Sequence, residues 1–311
     1  MTRMVLIGEP LVELTQPIHK PGVFRQGLGG DTLNTAVYLA RMLGPGQIRY
    51  VTRLGNDRLS DWILSKIADE GIDTASIMRM PGKTPGLSMI ECAPDGERSF
   101  TYWREQSAAR KLLQENAAED TSLAEAPALF VSAVTLAIIS PGARARLVRH
   151  MMRLKASGRP VYFDLNYRPT LWENAELARS SVADALAAST LALPSLDDVS
   201  ELWGADTPVQ ALETLRSLGA QAVLLKTGGG PVYYSGPEGQ RSFPLERVAR
   251  PVDTTGAGDS FNAAFLASRL NGADIAGAVA SGHALAARVV LAQGAILPPE
   301  AMPDTVLEDA G

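Results

Sequence analysis

Short apolar runs that stop at glycine or at a polar cluster alternate with longer stretches of helical period along most of the chain. Met4 to Ile7 is the first such run and ends at Gly8, as a buried strand of a parallel sheet does. Glu9 to Leu14 resumes with partial alternation, and Pro17, Pro21 and Gly22 keep any strand before Arg25 short and outside the main sheet. Thr32 to Leu43 has the spacing of a helix closed by Gly44, with Ala36, Val37, Leu39, Ala40 and Leu43 available for burial. Tyr50 to Leu54 is a strand. Asp57 to Glu70 is an amphipathic helix whose Trp62, Ile63, Ile67 and Ala68 face the sheet, and Gly71 ends it.

The pattern then changes. Leu87 to Cys92 and Ser99 to Trp103, joined by Pro94-Asp95-Gly96, alternate as an antiparallel hairpin does. From Leu129 a regular strand–helix succession follows: strands at 129–132, 161–165, 191–193 and 222–226, with helices at 142–155, 175–188 and 209–218 between them. A hairpin strand at 232–235 and two Ala-rich helices, the first over Asn262 to Leu270, close the chain. Such alternation predicts an α/β domain with a mostly parallel sheet covered on both faces, ligands lying in the crevice at the strands' C-terminal ends. The segments near 10–28 and 85–104 are expected to form a small β-lid on a single domain of residues 1–311.

Composition narrows the class. A chain of 311 residues with 46% apolar content buries a substantial core. A net charge of −5 gives no basic field for nucleic acid. No run approaches the roughly 18 apolar residues of a membrane span, and the first residues lack the basic-then-apolar order of a signal peptide. Cys92 has no second cysteine to pair with, which suits a reducing cytoplasm. The histidines, His19, His150 and His283, show no metal-ligand spacing.

Five stretches carry candidate chemistry. In Asp253-Thr254-Thr255-Gly256-Ala257-Gly258-Asp259-Ser260-Phe261, two glycines at a helix start let backbone N–H groups face one anion, and Asp259 places a carboxylate beside it, where phosphoryl transfer needs a proton acceptor. A bare turn and cap would use the same residues. In Gly29-Gly30-Asp31-Thr32-Leu33-Asn34, Asp31 and Asn34 offer groups to hydroxyls, or Asp31 or Thr32 caps the next helix. Tyr102 and Arg104 end the hairpin. Asn166 and Arg168 follow the strand ending at Leu165, and Arg168 presents a planar fork suited to a carboxylate. Lys226-Thr227-Gly228-Gly229-Gly230 places a cation and small residues after another strand, as a nucleotide site or a glycine turn would.

DTTGAGDSF at Asp253 resembles the C-terminal signature of the ribokinase-like (PfkB) family of sugar and nucleoside kinases, and GGDTLNTA at Gly29 resembles its N-terminal pattern. With GEPLVEL at Gly8, TYWRE at Thr101, DLNYRPTLW at Asp164 and QGAILPPEAMP at Gln293, the chain is similar to the branch that phosphorylates 2-keto-3-deoxygluconate at its 6-hydroxyl. The resemblance implies a ribokinase-like three-layer αβα sandwich with a small β-sheet lid, ATP and Mg²⁺ as cofactors, and a sugar acid and further copies of the chain as partners. It places Gly30, Asp31, Asn34, Tyr102, Arg104, Arg168 and Asp259 at the sugar acid, with Asp259 the catalytic base. It places Asn166, Arg168, Lys226, Thr227, Gly228, Gly229, Gly230, Gly256, Ala257 and Gly258 around the nucleotide. The family's usual Asn-x-x-Glu, which supports Mg²⁺ through water, stands here as Ser195-Leu196-Asp197-Asp198, leaving Asp198 as the candidate. A fructokinase-like enzyme is the competing activity, and a sugar-acid sensor without turnover the competing class. An intact Asp259 between its glycines argues against the sensor.

Overall fold

The structure is a computed structural model that describes residues 1–16, 20, 22–92, 98–114 and 118–303. The expected Pro94-Asp95-Gly96 turn, Pro17, Pro21 and His19 lie outside the described residues.

The strands are β1 (Met4–Ile7), β2 (Leu11–Thr15), β3 (Arg25–Gly29), β4 (Ile48–Leu54), β5 (Ile77–Arg79), β6 (Gly86–Cys92), β7 (Arg98–Trp103), β8 (Leu129–Ser132), β9 (Val161–Asp164), β10 (Leu191–Ala192), β11 (Val223–Leu225), β12 (Val232–Gly236) and β13 (Gly239–Phe243). The helices are α1 (Asp31–Leu43), α2 (Arg58–Asp69), α3 (Glu119–Ala124), α4 (Ala133–Ile138), α5 (Pro141–Ala156), α6 (Ala175–Ala188), α7 (Leu196–Trp203), α8 (Pro208–Ser217), α9 (Ala257–Leu270) and α10 (Ile275–Val289).

Among the described residues the main sheet runs β13-β12-β11-β10-β9-β8-β1-β4-β5, parallel except where β12 meets β11 and β13. Its strands sort their side chains between two cores by period two. Val5 and Ile7 of β1, with Leu129, Val131, Val161 and Phe163, join the core under α4 to α8. Met4 and Leu6, with Phe130, Tyr162 and Leu224, join the core under α1, α2, α9 and α10. Burial on both faces is what makes these strands near-continuous apolar runs, and it defines three layers, helix–sheet–helix.

A second sheet, β3-β2-β6-β7, is built from the two expected segments. Leu11 of β2 pairs in parallel with Gly86, and Leu87 of β6 lies opposite Trp103 of β7 in the predicted hairpin. No helix of the described residues is long and apolar enough to cross a membrane.

Some expectations fail for local reasons. Ala68 of α2 is exposed, and Ile63 and Ile67, flanked by the partly buried Trp62 and Leu64, cover the sheet there. The last helix pair begins earlier than Asn262: α9 starts at Ala257, so Asp259 sits in its first turn. Helix α4 shows no amphipathic period, since all six of its residues are buried. Helix α7 carries a Ser195/Asp198 capping box, a start signal legible in Ser195-Leu196-Asp197-Asp198.

Candidate active site

Helix α9 begins at a residue that only glycine fits. Gly256 has φ +76°, and a Cβ there would meet the Ala295 backbone at 2.8 Å. Asp253 ties this turn to the loop after α10, accepting hydrogen bonds from the Thr255 N–H at 3.0 Å and the Gly294 N–H at 2.6 Å. No side chain caps α9; the Ala257 N–H donates to the Thr254 carbonyl at 3.2 Å, and the N–H of Gly258 remains available to an anion, with the helix dipole behind it. Gly258 keeps the approach open: a Cβ there would lie 3.9 Å from Lys226 Nζ, with nothing nearer. Ala257 opens the same turn.

Helix α1 starts the same way, from Gly30 at φ +118° with no side-chain cap, so neither Asp31 nor Thr32 serves as one. The two helix starts face each other. Asn34 Nδ2 donates to Asp259 Oδ2 at 2.8 Å, joining positions 225 residues apart in sequence. Asp31 Oδ2 accepts from Asn166 Nδ2 at 2.9 Å and from the Ser132 hydroxyl at the end of β8. Asn166 takes φ +21°, unusual for a residue with a side chain, and that turn after β9 aims its amide at Asp31. It therefore stands on the Asp31 side of the cleft.

Asp164, the last residue of β9, is buried 3.5 Å from Lys226 Nζ, and Lys226 also donates to Asn262 Oδ1 at 2.8 Å. The ends of β8, β9 and β11 and the starts of α1 and α9 thus converge, as expected for the C-terminal edge of an open parallel sheet. Three carboxylates close to one lysine disfavour full ionisation. Burial, then neighbouring Asp31, push the Asp259 carboxyl well above the ordinary aspartate range, against the lowering effect of the Asn34 hydrogen bond. Burial raises Asp164 to about 6, with Lys226 opposing and Asp198 and Asp31 adding.

At the edge of the small sheet, Arg104 lies over the Tyr102 ring, 5.8 Å from its centroid. Burial raises the Tyr102 phenol, while the charges of Arg104 and Arg168 act to lower it, so both guanidiniums are close by. They differ sharply in state. Arg104 is 7% exposed and forks onto Glu9, Nε donating to Oε2 at 2.9 Å and Nη2 donating to the same oxygen. Arg168 is exposed and donates to its neighbour's carbonyl, that of Tyr167, at 2.9 Å. Of the two arginines expected at the sugar acid, Arg104 is thus neutralised by Glu9.

Asp198 is likewise committed. It is buried, and it accepts from the Tyr167 N–H at 2.9 Å, the Ser195 N–H at 3.0 Å and the Ser195 hydroxyl at 2.7 Å. It holds the start of α7 and the loop carrying Arg168. No group of three or more metal-ligating side chains that could hold an ion occurs among the described residues. Thr227 closes its turn by donating to the Pro231 carbonyl at 2.8 Å, with Gly228 and Gly229 at positive φ and exposed, and Gly230 tucked against the Thr227 hydroxyl. Glu9, Ser132, Asp164 and Asn262 had no assigned role in the sequence. The available signal for Glu9, Ser132 and Asp164 was their place at or just past the C-terminal end of a strand.

An uncapped, glycine-lined helix start beside a lysine and a carboxylate of raised proton affinity, in an αβα sandwich with a small sheet at its edge, is the apparatus of a phosphotransferase. The chain belongs to the pfkB family of carbohydrate kinases, whose profile matches residues 1–302. A 2-dehydro-3-deoxygluconokinase of Dickeya dadantii (strain 3937) is 40% identical over 309 residues, covering 96% of this chain and 98% of that protein. The 2-dehydro-3-deoxygluconokinase of Escherichia coli (strain K12) is 37% identical over 308 residues, covering 97% and 99%. Among solved structures, a fructokinase with bound ATP from Xylella fastidiosa superposes with a TM-score of 0.79 at 28% identity, covering 99% of this chain and 98% of that one.

Proposed function

We propose that this chain transfers the γ-phosphate of ATP to the 6-hydroxyl of 2-keto-3-deoxygluconate. The observation that carries this is Asp259 in the first turn of uncapped α9, in a chain 37–40% identical to 2-dehydro-3-deoxygluconokinases along almost its full length. Asp259 takes the proton of the attacking hydroxyl as the O6–P bond forms and the bond from the γ-phosphorus to the β-phosphate bridging oxygen breaks, releasing ADP. The Gly258 N–H in the first turn of α9 and the Lys226 ammonium stabilise charge on the transferring group. Gly30, Asp31 and Asn34 take the sugar's hydroxyl side, with Asn166 positioning Asp31. Thr227 to Gly230 border the nucleotide.

The residues present fit a nucleotide-borne Mg²⁺. Burial, and after it the neighbouring acids Asp198 and Asp31, raise the Asp164 carboxyl to about 6, a condition that a cation relieves, and Mg²⁺ is normally carried by one or two carboxylates together with phosphates and water. When bound, Mg²⁺ neutralises charge on the phosphates. Asp198, filled by its own hydrogen bonds, is no longer favoured as its support.

The sugar's carboxylate is assigned to Arg168, with Tyr102 and the Glu9-paired Arg104 completing the far end under the small sheet. A charge-assisted hydrogen bond contributes about 1.5–3 kcal/mol, and leaving such a group without its partner costs a comparable amount, so the keto acid is expected to be used at least about 10²-fold better than fructose in kcat/KM. A coupled ADP-release assay across the keto-deoxy acid, fructose and ribose checks this. Arg168→Ala is expected to raise KM for the acid far more than for fructose. Equal use of fructose by the unaltered chain would replace this reading with a fructokinase.

Exposed Val23, Phe24 and Trp103 on or next to the small sheet support self-association through that surface. Sedimentation velocity is expected to show an oligomer that Trp103→Lys weakens; a monomer throughout would end the idea. Consumption of ATP favours the cytoplasm as the place of action.

A further inference from the structure

A second cleft, sharing no residue with the site above, opens on the outer surface between α3 and α5. Its volume is about 430 Å³, within the range of small-molecule sites. One wall is a single face of α5, where Arg146, Arg149, His150 and Arg153 recur at helical spacing. From α3, Asp120 forms a 2.6 Å hydrogen bond with His150 Nε2 and accepts from Arg146 at 3.3 Å.

His150 is 6% exposed, so its bond to Asp120 builds a fixed floor under the arginines. Asp120 is thereby used up. Arg149 and Arg153 stand exposed above it, and no carboxylate pairs with either among the described residues. Three guanidiniums against one carboxylate leave an excess of two positive charges in this cleft of a chain whose net charge is −5. Arg149 and Arg153 are also four residues apart on one helix face, an arrangement of like charges that costs stability unless an anion lies between them.

We propose that this cleft binds a phosphate monoester of metabolite size. Such a group carries about −1.5 to −2 at neutral pH, which matches the excess charge, and its oxygens accept the paired N–H groups of a guanidinium fork. Arg149 and Arg153 hold the phosphate, and Arg146, oriented by Asp120, completes its coordination. The assignment does not depend on which sugar the kinase site takes.

The test is calorimetric titration of the full chain, with its nucleotide site filled by a non-hydrolysable ATP analogue, using inorganic phosphate and glucose 6-phosphate as probes. Expected is one equivalent of glucose 6-phosphate per chain, undiminished by saturating sugar substrate. The Arg149→Ser/Arg153→Ser variant is expected to weaken it at least about tenfold while kcat/KM of the kinase reaction stays unchanged. Inorganic phosphate binding in place of the ester would identify a bare-anion site and overturn the monoester class. The cleft assignment falls outright if neither probe binds below about 10 mM, a limit weaker than ordinary metabolite affinity. It also falls if the variant binds as tightly as the original chain, or if sugar substrate displaces the ester.

Discussion

Asp259→Asn is expected to lower kcat by at least about 10²-fold while sugar and nucleotide still bind near their normal affinities. The substitution is nearly isosteric, and the amide oxygen can still accept from Asn34 Nδ2, so the α1–α9 contact survives. What disappears is the only group in that first turn able to take a proton. Because burial and Asp31 raise its proton affinity, Asp259 becomes ionised only at a higher pH than an ordinary aspartate does. The base works ionised, so kcat/KM falls as pH drops through that raised pKa, and the acid limb of the profile lies well above the ordinary aspartate value of 3.8. A pH–rate profile together with single-turnover measurements on Asp259→Asn checks both parts. Near-normal turnover in the variant would move the base to another residue, with Asp31 or Asp164 the next to examine.

The same residue illustrates what the sequence makes legible. Glycines flanking a carboxylate at a helix start are local, so DTTGAGD announces an anion turn without any knowledge of the fold. The layered sheet is legible for a similar reason: strands buried on both faces must be apolar runs, and the intervening helices show the period of a half-buried surface. Helix α4 fails this test because it is buried all round, edge strand β5 has only three residues, and edge strand β13 is a mostly polar, exposed run with no apolar pattern to read. Pairings across the fold are illegible in another sense. Nothing near Asp31 in sequence indicates that Asn166 will reach it, because the contact depends on one left-handed residue after β9. Asp198 is a candidate for the metal only by resemblance, whereas the local Ser-x-x-Asp pattern, a capping box, accounts for its hydrogen bonds with Ser195.

Arg104 is the instance with the largest consequence for experiment, because its ion pair spans 95 positions and changes what a substitution there means. Arg104→Ala is expected to destabilise the chain by about 3–5 kcal/mol, the usual cost of breaking a buried ion pair by removing one partner. Glu9 is 2% exposed and its other oxygen, Oε1, has no hydrogen-bond partner, so no nearby group can take over when the guanidinium is gone. Nor is there room to relax, since Gly86 presses against this carboxylate so closely that a Cβ there would lie 2.8 Å from Oε1. The loss is expected as a lower denaturant midpoint, and the double variant Glu9→Gln/Arg104→Met should recover much of it by removing both charges together. An unchanged midpoint in Arg104→Ala would show the pair to be dispensable. The single variant Glu9→Gln separates stability from substrate recognition: it leaves Arg104 buried without a counter-ion, a role the carboxylate of a bound keto acid can fill. Keto acid should therefore raise the melting temperature of Glu9→Gln more than that of the unaltered chain, whereas fructose, lacking a carboxylate, should raise both alike. Equal shifts with the keto acid would leave Arg168 as the sole cation for the carboxylate and make Arg104 purely a support for the strand that carries Tyr102.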